Sequence, residues 1–321
     1  MTRVAALDLG TNTTRLLVAD VEDGRVDEIA RLVRITRLGE GVDSRRRLLP
    51  LPVARVRNCL TDYRRVLEAH AAERTLAVAT SAVRDADNGE AFLGEVEWSY
   101  GFSTRLASGA EEARLTFRGA TLGRDLDEAT LVVDIGGGST ELVVGDAGGV
   151  QFDTSLDIGS VRMTERFVRS DPPAPEELAD CVGAVRSLLA ERIADEVRAL
   201  PRQAIGVAAT ITTFAALDLA LPAYDREQVQ GHVLSREGVD RQLERLAALP
   251  LAERRAVPAL EPERAPVIVA GGIILREVLD HFRLPALEAS ERDILDGIAL
   301  EAAALPEPVE GNAPPGAYTC C

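Results

Sequence analysis

Two carboxylates flank a run of glycines in the segment DIGGGSTE, which covers residues 134–141. Glycines can turn consecutive backbone N–H groups toward one point, and the concavity formed in this way binds anions. The residues expected to bind phosphate in this loop are Gly136, Gly137, Gly138 and Ser139. Asp134 and Glu141 are expected to face the same phosphate from two adjacent strands. Carboxylates beside a phosphate need a cation between them, and oxygen ligands indicate Mg²⁺. The alternative is an ordinary glycine-rich turn with solvated acids.

A second loop, DLGTNT at residues 8–13, repeats the order of an acid followed by glycine and short polar side chains. Its candidates for phosphate binding are Gly10, Thr11, Asn12 and Thr13. Asp8 is expected to orient a metal-bound water. Glycine, threonine and asparagine are also common in hairpin turns, so the loop alone indicates little. The loop supports the prediction because it occupies the same position in the first half of the chain as the triple-glycine loop occupies in the second.

A pair of adjacent acids follows a serine in SGAEEAR, residues 108–114. Ser108 or Gly109 can cap a helix that begins here, and Glu111 is expected to compensate the helix dipole in the first turn. Glu112 lies on a different face of that helix. Hydrolysis of a phosphoanhydride requires an oriented water, and a carboxylate is suited to position it or to accept its proton.

Composition excludes several classes of protein. All 36 basic residues are arginine, so a Walker-type lysine and Schiff-base chemistry are excluded. The three histidines are scattered, which argues against a zinc site or a histidine-based triad. A net charge of -16 argues against binding of nucleic-acid polymers through a basic face. No apolar run is long enough to cross a bilayer and no signal peptide is recognisable, so a cytoplasmic protein without membrane association is expected.

The cysteines do not form a disulfide framework. Cys59 and Cys181 stand alone in helix-like stretches and are predicted to be buried, inert thiols. Cys320 and Cys321 end a tail rich in proline and glycine, and they do not match a prenylation motif. The sequence assigns them no role.

The two loops are placed by elements whose order occurs twice. In each half, a strand that ends in an acid is followed by a polar hairpin, two further strands and then helices. Predicted strands cover residues 4–8, 15–20, 26–38, 75–79, 103–106, 129–134, 141–144, 150–156 and 204–208. Predicted helices cover residues 53–72, 86–96, 110–120, 267–279 and 293–304, with two long helices within 173–200 and another beginning near Thr210.

Together these motifs resemble the exopolyphosphatase/guanosine pentaphosphate phosphohydrolase (Ppx/GppA) family. The matching segments are residues 8–12, 80–86, 108–114, 134–141, 157–162 and 290–297. The resemblance implies an α/β protein of the actin-like ATPase (ASKHA) superfold, in which two ribonuclease-H-like domains enclose an interdomain cleft. The first domain is predicted at 1–124 and the second at 125–305, with the alternative that the last helix packs back on the first domain. Residues 306–321 are predicted to be a proline-rich tail.

The family resemblance also implies roles for individual residues. Glu112 would be the catalytic glutamate that activates water, and Asp134 and Glu141 would support Mg²⁺ and the terminal phosphate. Arg84 would offer a bidentate fork to phosphate oxygens, the alternative being a surface residue in the loop before a helix. The implied substrates are inorganic polyphosphate or guanosine pentaphosphate, and the implied assembly is a homodimer.

One departure from the family pattern concerns a turn of the form Gly-x-x-Gly-Thr. Here the segment reads GVAAT at residues 206–210, with Ala209 in the place of the second glycine. If that turn requires a positive φ, alanine there costs about 1 kcal/mol or more. Thr210 still provides a helix N-terminus for an anion.

Three expectations remain open. The short two-domain form favours short polyphosphates or nucleotides as substrates. A sensor that binds polyphosphate or guanosine pentaphosphate without hydrolysing it is an alternative, because Ala209 replaces the glycine. An ATP-dependent kinase of the same superfold is the other alternative.

Overall fold

A computed structural model describes residues 1–306 of the chain. The elements up to residue 123 are β1 (Thr2–Leu9), β2 (Thr13–Glu22), β3 (Arg25–Ile35), α1 (Val42–Arg45), α2 (Pro50–Ala69), β4 (Arg74–Ala79), α3 (Ser81–Arg84), α4 (Gly89–Tyr100), β5 (Ser103–Leu106) and α5 (Gly109–Ala120). They are followed by β6 (Thr130–Ile135), β7 (Thr140–Asp146), β8 (Gly149–Leu156), α6 (Ser160–Phe167), α7 (Pro175–Arg192), α8 (Asp195–Arg198), β9 (Gln203–Val207) and α9 (Ala208–Asp218). The chain continues with α10 (Arg226–Val229), β10 (Val233–Ser235), α11 (Arg236–Ala248), α12 (Leu251–Arg254), α13 (Ile268–Phe282), β11 (Ala286–Ala289) and α14 (Ile294–Ala304).

The chain divides into two compact units. The first unit comprises residues 1–123 together with the described residues from Ile294 onward, and the second comprises residues 124–293. The first has a sheet in the order β3-β2-β1-β4-β5, and the second has the order β10-β11-β9-β6-β7-β8. Apart from the added β10, the second order reproduces the first, with β6, β7, β8, β9 and β11 in the places of β1 to β5. The duplicated, actin-like superfold of two ribonuclease-H-like units is therefore confirmed.

In the first unit both faces of the sheet are covered by apolar side chains. Because side chains alternate along a strand, β1 sends Ala5 and Leu7 into a cluster with α2 and α4, and sends Val4 and Ala6 into a second cluster. A strand buried on both faces reads as a nearly continuous apolar run, which is what residues 4–9 show apart from Asp8.

The last helix belongs to the first unit. The prediction counted residues up to 305 with the second domain and gave as its alternative that the last helix packs back on the first. The structure follows the alternative, because apolar residues of α14, including Ile298, complete the second cluster of the first unit. A Cβ on Gly297 would lie 2.1 Å from the carbonyl oxygen of Leu115, so the glycine allows α14 to pack closely on α5. An ion pair of 2.8 Å between the buried side chains of Arg31 and Asp296 also joins α14 to β3.

The second unit has one large apolar cluster, formed by inward residues of its sheet and by helices α6, α7, α9, α11 and α13. Here the sequence missed the short strands β10 and β11 and the short helices α6, α10 and α12, because elements of three to eight residues show little periodicity. It also missed the 13-residue helix α11. The two long helices expected within residues 173–200 are α7 and the single turn α8. The strand predicted to reach Leu38 ends at Ile35.

Three further expectations concern membranes and cysteines. Among the helices of residues 1–306, none combines the length and apolar character that crossing a bilayer requires. Cys59 and Cys181 are buried as predicted. Burial raises the pKa of Cys59 to about 11 and that of Cys181 to about 12, so both thiols stay protonated at neutral pH. The predicted tail with Cys320 and Cys321 lies outside the described residues, apart from Pro306.

Candidate functional site

The triple-glycine loop joins β6 to β7 and is closed by a hydrogen bond of 3.0 Å from the N–H of Gly136 to the carbonyl of Ser139. The carbonyl of Gly136 accepts from the N–H of Ser160 at 2.9 Å, and that of Gly137 accepts from the N–H of Val161 at 2.9 Å. Within residues 1–306, the N–H groups of Gly137 and Gly138 have no acceptor. A loop whose carbonyls are engaged and whose N–H groups are not is suited to receive an anion.

Two carboxylates stand at the base of this loop. Asp134 on β6 is directly opposite Glu141 on β7 in the antiparallel ladder. Residues opposite each other point to the same face of a sheet, with Cβ atoms about 5 Å apart. Both are buried, at 6% and 1% exposure, and the hydroxyl of Ser155 donates to Glu141 at 2.7 Å. The structure thus brings the predicted pair together beside the loop.

Two residues of the segment 157–162 hold the loop, and the sequence assigned them no role. The buried Arg162 donates from Nε to the carbonyl of Gly138 at 2.7 Å. Gly159 approaches the loop so closely that a Cβ there would lie 2.4 Å from the carbonyl carbon of Gly137. The segment was visible only as part of the family resemblance, because nothing in its own spacing indicates which backbone it contacts.

The loop at residues 10–13 is built in the same way between β1 and β2. The N–H of Gly10 donates to the carbonyl of Thr13 at 3.0 Å, and the carbonyl of Thr11 accepts from the N–H of Gly39 at 2.8 Å. The carbonyl of Asn12 accepts from the N–H groups of residues 36 and 37. In the described part of the chain, the N–H groups of Thr11 and Asn12 have no acceptor.

Asp8, predicted as a metal ligand, is engaged by an arginine. It is opposite Arg15 in the ladder between β1 and β2, and its Oδ2 accepts from Nε of Arg15 at 2.8 Å and pairs with Nη2 at 2.7 Å. The two side chains are 4% and 14% exposed. This ion pair neutralises Asp8 within the first unit, so its role toward a metal stays a prediction.

The two adjacent glutamates of α5 differ as the sequence predicted. Glu111 forms a capping box with Ser108, whose backbone N–H donates to it at 2.8 Å. These hydrogen bonds from Ser108 hold the pKa of Glu111 below its usual range. Glu112 is only 7% exposed, and Nη1 of Arg84 lies 3.1 Å from its Oε2.

Arg84 is therefore brought together with Glu112. Its Nη1 also donates to the carbonyl of Ala107 at 2.9 Å. Within residues 1–306, both hydrogen bonds of the guanidinium are made through Nη1. The Nε and Nη2 edge is left for a bidentate contact, which is the geometry that matches phosphate oxygens.

Thr210 is the third residue of α9 and is buried. A Cβ on Gly271 of α13 would lie 2.7 Å from its Cγ2, so Thr210 packs against the other helix. The positive φ in this turn is found at Ala208, with a φ of 65°, and Ala209 is not among the residues with positive φ. The strain that the sequence placed at Ala209 therefore belongs to its neighbour, because the chain leaves β9 one residue earlier than predicted.

The donor set bears on which metal fits. Within residues 1–306, no group of three or more His, Cys, Asp or Glu side chains is arranged to hold a metal ion. The pair Asp134 and Glu141 remains. Mg²⁺ is commonly bound by one or two carboxylates together with waters and substrate phosphates, so this pair beside an anion-binding loop fits it.

Comparison with known proteins accounts for nearly the whole chain. The model of the Ppx/GppA phosphatase family matches residues 17–304. Exopolyphosphatase 2 of Mycobacterium tuberculosis is 41% identical over 94% of this chain and 99% of its own length. A guanosine-5'-triphosphate,3'-diphosphate pyrophosphatase of Photobacterium profundum is 26% identical over 92% of this chain and 58% of its own. The crystal structure of the Aquifex aeolicus Ppx/GppA family member is 31% identical, covers 94% of this chain and 98% of its own, and superposes with a TM-score of 0.79. The chain belongs to the Ppx/GppA phosphatase family and is a hydrolase of that family.

Proposed function

We propose that this protein releases the terminal orthophosphate from inorganic polyphosphate or from guanosine pentaphosphate in a Mg²⁺-dependent reaction. The observation that carries the proposal is the loop at residues 136–139. Its carbonyls accept hydrogen bonds from within the second unit, whereas two of its N–H groups are left for an anion, directly beside two buried carboxylates. The family relatives that resemble the chain include enzymes named for each of these substrates.

The proposed chemistry is in-line attack of water on the terminal phosphorus, in which most of the rate enhancement comes from positioning and charge neutralisation. Glu112 orients the water and accepts its proton. Its carboxylate is held by Arg84, which is itself fixed by the carbonyl of Ala107. The free edge of the Arg84 guanidinium binds the oxygens of a phosphate.

Asp134 and Glu141 are the residues that would hold Mg²⁺. A bound Mg²⁺ would neutralise charge on the phosphate oxygens and on the two carboxylates. Ser155 keeps the Glu141 carboxylate in place through its hydroxyl hydrogen bond. The N–H groups of the 136–139 loop act on the phosphate independently of the metal, because they are fixed by the engaged carbonyls.

The experiment that tests this proposal measures phosphate release from tripolyphosphate, long-chain polyphosphate and guanosine pentaphosphate, with and without Mg²⁺. Glu112→Gln should keep the fold and lower turnover by about two orders of magnitude or more. Glu111→Gln is the matched control, since the same change is made one residue earlier on an exposed capping side chain. Equal turnover of the two variants would remove Glu112 from the mechanism.

Neither alternative function is supported by a feature of the site. The sensor was suggested by Ala209, but the positive φ lies at Ala208. A kinase requires room for a nucleoside. The sequence shows no clear signature of an adenosine pocket in the second domain. Wild-type protein that binds these substrates and releases no phosphate would favour the sensor.

A further inference from the structure

Three consecutive arginines, Arg45–Arg47, are exposed in the first unit. Within residues 1–306 none of them forms an ion pair or a side-chain hydrogen bond. Some exposed arginines of the unit are paired, as Arg34 is with Asp62 at 2.5 Å and Arg57 with Glu95 at 2.5 Å. The exposed Arg25 and Arg118 have no side-chain partner among residues 1–306 either, but they stand singly, whereas Arg45–Arg47 are three such cations in succession. In a protein with a net charge of -16, a run of unpaired cations needs a reason other than internal stability.

The backbone of this arginine run is fixed. The N–H of Arg45 donates to the carbonyl of Gly41 at 3.0 Å, and the N–H of Arg46 donates to that of Val42 at 2.8 Å. On the other side, the carbonyl of Arg46 accepts from the N–H of Asp87 at 2.8 Å. The next residue, Leu48, exchanges two hydrogen bonds with the Asn88 side chain. The guanidinium groups are therefore carried by an ordered platform.

This platform lies between the two parts of the first unit that carry predicted phosphate contacts. Toward the 10–13 loop, the N–H of Val42 donates to the carbonyl of Gly39, and the N–H of Gly39 donates to the carbonyl of Thr11. Toward α3, Asp87 and Asn88 follow Arg84 by a few residues. The arginine run is thus connected to both sets of contacts by direct hydrogen bonds or short chain segments.

We propose that Arg45–Arg47 form a second binding site for polyphosphate, which holds phosphates of the chain other than the terminal one that is hydrolysed. The proposal rests on the proposed function, because it assumes that the same protein acts on the end of that chain. Each guanidinium can grip phosphate oxygens with two parallel N–H bonds. Asp43 precedes the run in α1 and Asp87 belongs to the supporting contact, so the run carries three guanidinium groups against two neighbouring carboxylates.

The arginine run also selects among the proposed substrates. A long polyphosphate carries negative charge at every phosphate, so it can reach the run while its end is bound elsewhere. Tripolyphosphate and guanosine pentaphosphate offer few phosphates beyond those required at the site of hydrolysis. The structure therefore argues for long chains, against the expectation of short substrates.

The test is the triple variant Arg45→Gln/Arg46→Gln/Arg47→Gln. Glutamine keeps an unbranched polar side chain without the charge, and it meets the same left-handed backbone at residue 46 that arginine does. The matched control is Arg192→Gln/Arg202→Gln/Arg255→Gln, which removes the same charge from exposed positions of the second unit. Both proteins are compared with wild type in phosphate release and in binding of fluorescently labelled long-chain polyphosphate, measured by anisotropy over a range of salt concentrations.

For the triple variant we expect the KM for long-chain polyphosphate to rise about tenfold or more, with kcat and the KM for tripolyphosphate unchanged. The slope of log affinity against log salt should fall by about 2. The control should behave as wild type. Unchanged long-chain KM and binding in the triple variant would overturn the second site while leaving the hydrolase intact.

Binding keeps the two proposals separable. If wild type releases no phosphate, the proposed function fails, and loss of polyphosphate binding in the triple variant alone would still support the second site. Displacement of the labelled polyphosphate by single-stranded RNA at equal phosphate concentration would overturn the assignment to polyphosphate, since the run would then accept any linear polyanion.

Discussion

In both units the first hairpin closes with the same bond, from Gly10 to Thr13 and from Gly136 to Ser139, each at 3.0 Å. In both, the carbonyls of the loop are engaged by the segment that follows the third strand, which leaves two N–H groups without an acceptor among residues 1–306. The charge opposite the preceding acid differs. Asp8 has Arg15 across the ladder, whereas the corresponding partner of Asp134 is Glu141.

The two loops share one backbone arrangement, and this difference in charge gives them different requirements for a cation. An acid that faces an arginine is already neutralised, so the first loop needs no cation to be stable. Two carboxylates carried by Cβ atoms about 5 Å apart repel each other unless a cation or a proton is shared between them. We therefore propose that the duplication provides two frames for anions, of which the second would hold Mg²⁺ beside its anion.

The largest effect is expected from the glycine that supports the second loop. Alanine at Gly159 would place its Cβ 2.4 Å from backbone atoms of Gly137, which have no side-chain freedom with which to yield. Gly159→Ala should lower the free energy of unfolding by roughly 2–4 kcal/mol and abolish phosphate release. Urea denaturation and a phosphate assay measure the two effects.

The corresponding change in the first unit is the control for that prediction. A Cβ on Gly39 would lie 2.3 Å from the Cγ2 methyl of Thr11, which is a side-chain atom and can rotate away. Gly39→Ala should therefore be the milder variant in both assays. A Gly39→Ala protein as unstable and as inactive as Gly159→Ala would show that the two loops are braced equally.

The second largest effect is expected from changes to the residues opposite the two acids, which are Arg15 opposite Asp8 and Glu141 opposite Asp134. Arg15→Gln leaves the buried Asp8 without its cation and should destabilise the protein by about 2–3 kcal/mol. Glu141→Gln removes one of two neighbouring carboxylates and keeps an oxygen that can accept from Ser155, so stability without metal should be unchanged or rise by about 1 kcal/mol. Thermal unfolding without Mg²⁺ checks both directions.

Addition of Mg²⁺ sharpens the same comparison. A cation that binds the native state raises the unfolding temperature by mass action. We expect Mg²⁺ to stabilise wild type and Arg15→Gln but not Glu141→Gln. If Mg²⁺ stabilised Glu141→Gln as much as wild type, the second loop would not be the metal site.

Much of this arrangement was predictable from sequence, because the loops carry composition signals. Glycines after an acid marked both hairpins, and the position of Glu112 on the helix separated it from Glu111. What supports the loops was not predictable. Arg162 and Gly159 act through contacts with backbone atoms some twenty residues away, and such contacts leave no periodic pattern in the sequence. The ion pair of Asp8 needed the strand register, which is fixed only once the hairpin is built.

The sequence also did not decide in which unit α14 packs. Its apolar residues predicted a helix correctly, but an apolar face does not state which sheet it covers. Gly297 and the pair of Arg31 with Asp296 decide that question through contacts with residues far away in the chain.

The smallest effect concerns the turn between the fourth strand of each unit and the helix that follows it. These are β4 and α3 in the first unit and β9 and α9 in the second. The residues before the two helices are alike, with a φ of -124° at Thr80 and -122° at Val207. The second unit differs in the first residue of its helix, Ala208, which has a φ of 65°. In the left-handed region, alanine is less favourable than glycine by about 1 kcal/mol. Glycine loses part of this advantage, because it gives the unfolded chain more conformational freedom. Ala208→Gly should therefore leave stability unchanged or raise it by up to about 1 kcal/mol. Ala209→Gly, in the first turn of α9, should lower it by up to about 1 kcal/mol. Urea denaturation of the two variants side by side gives their order, and the reverse order would move the strained residue to the position that the sequence first indicated.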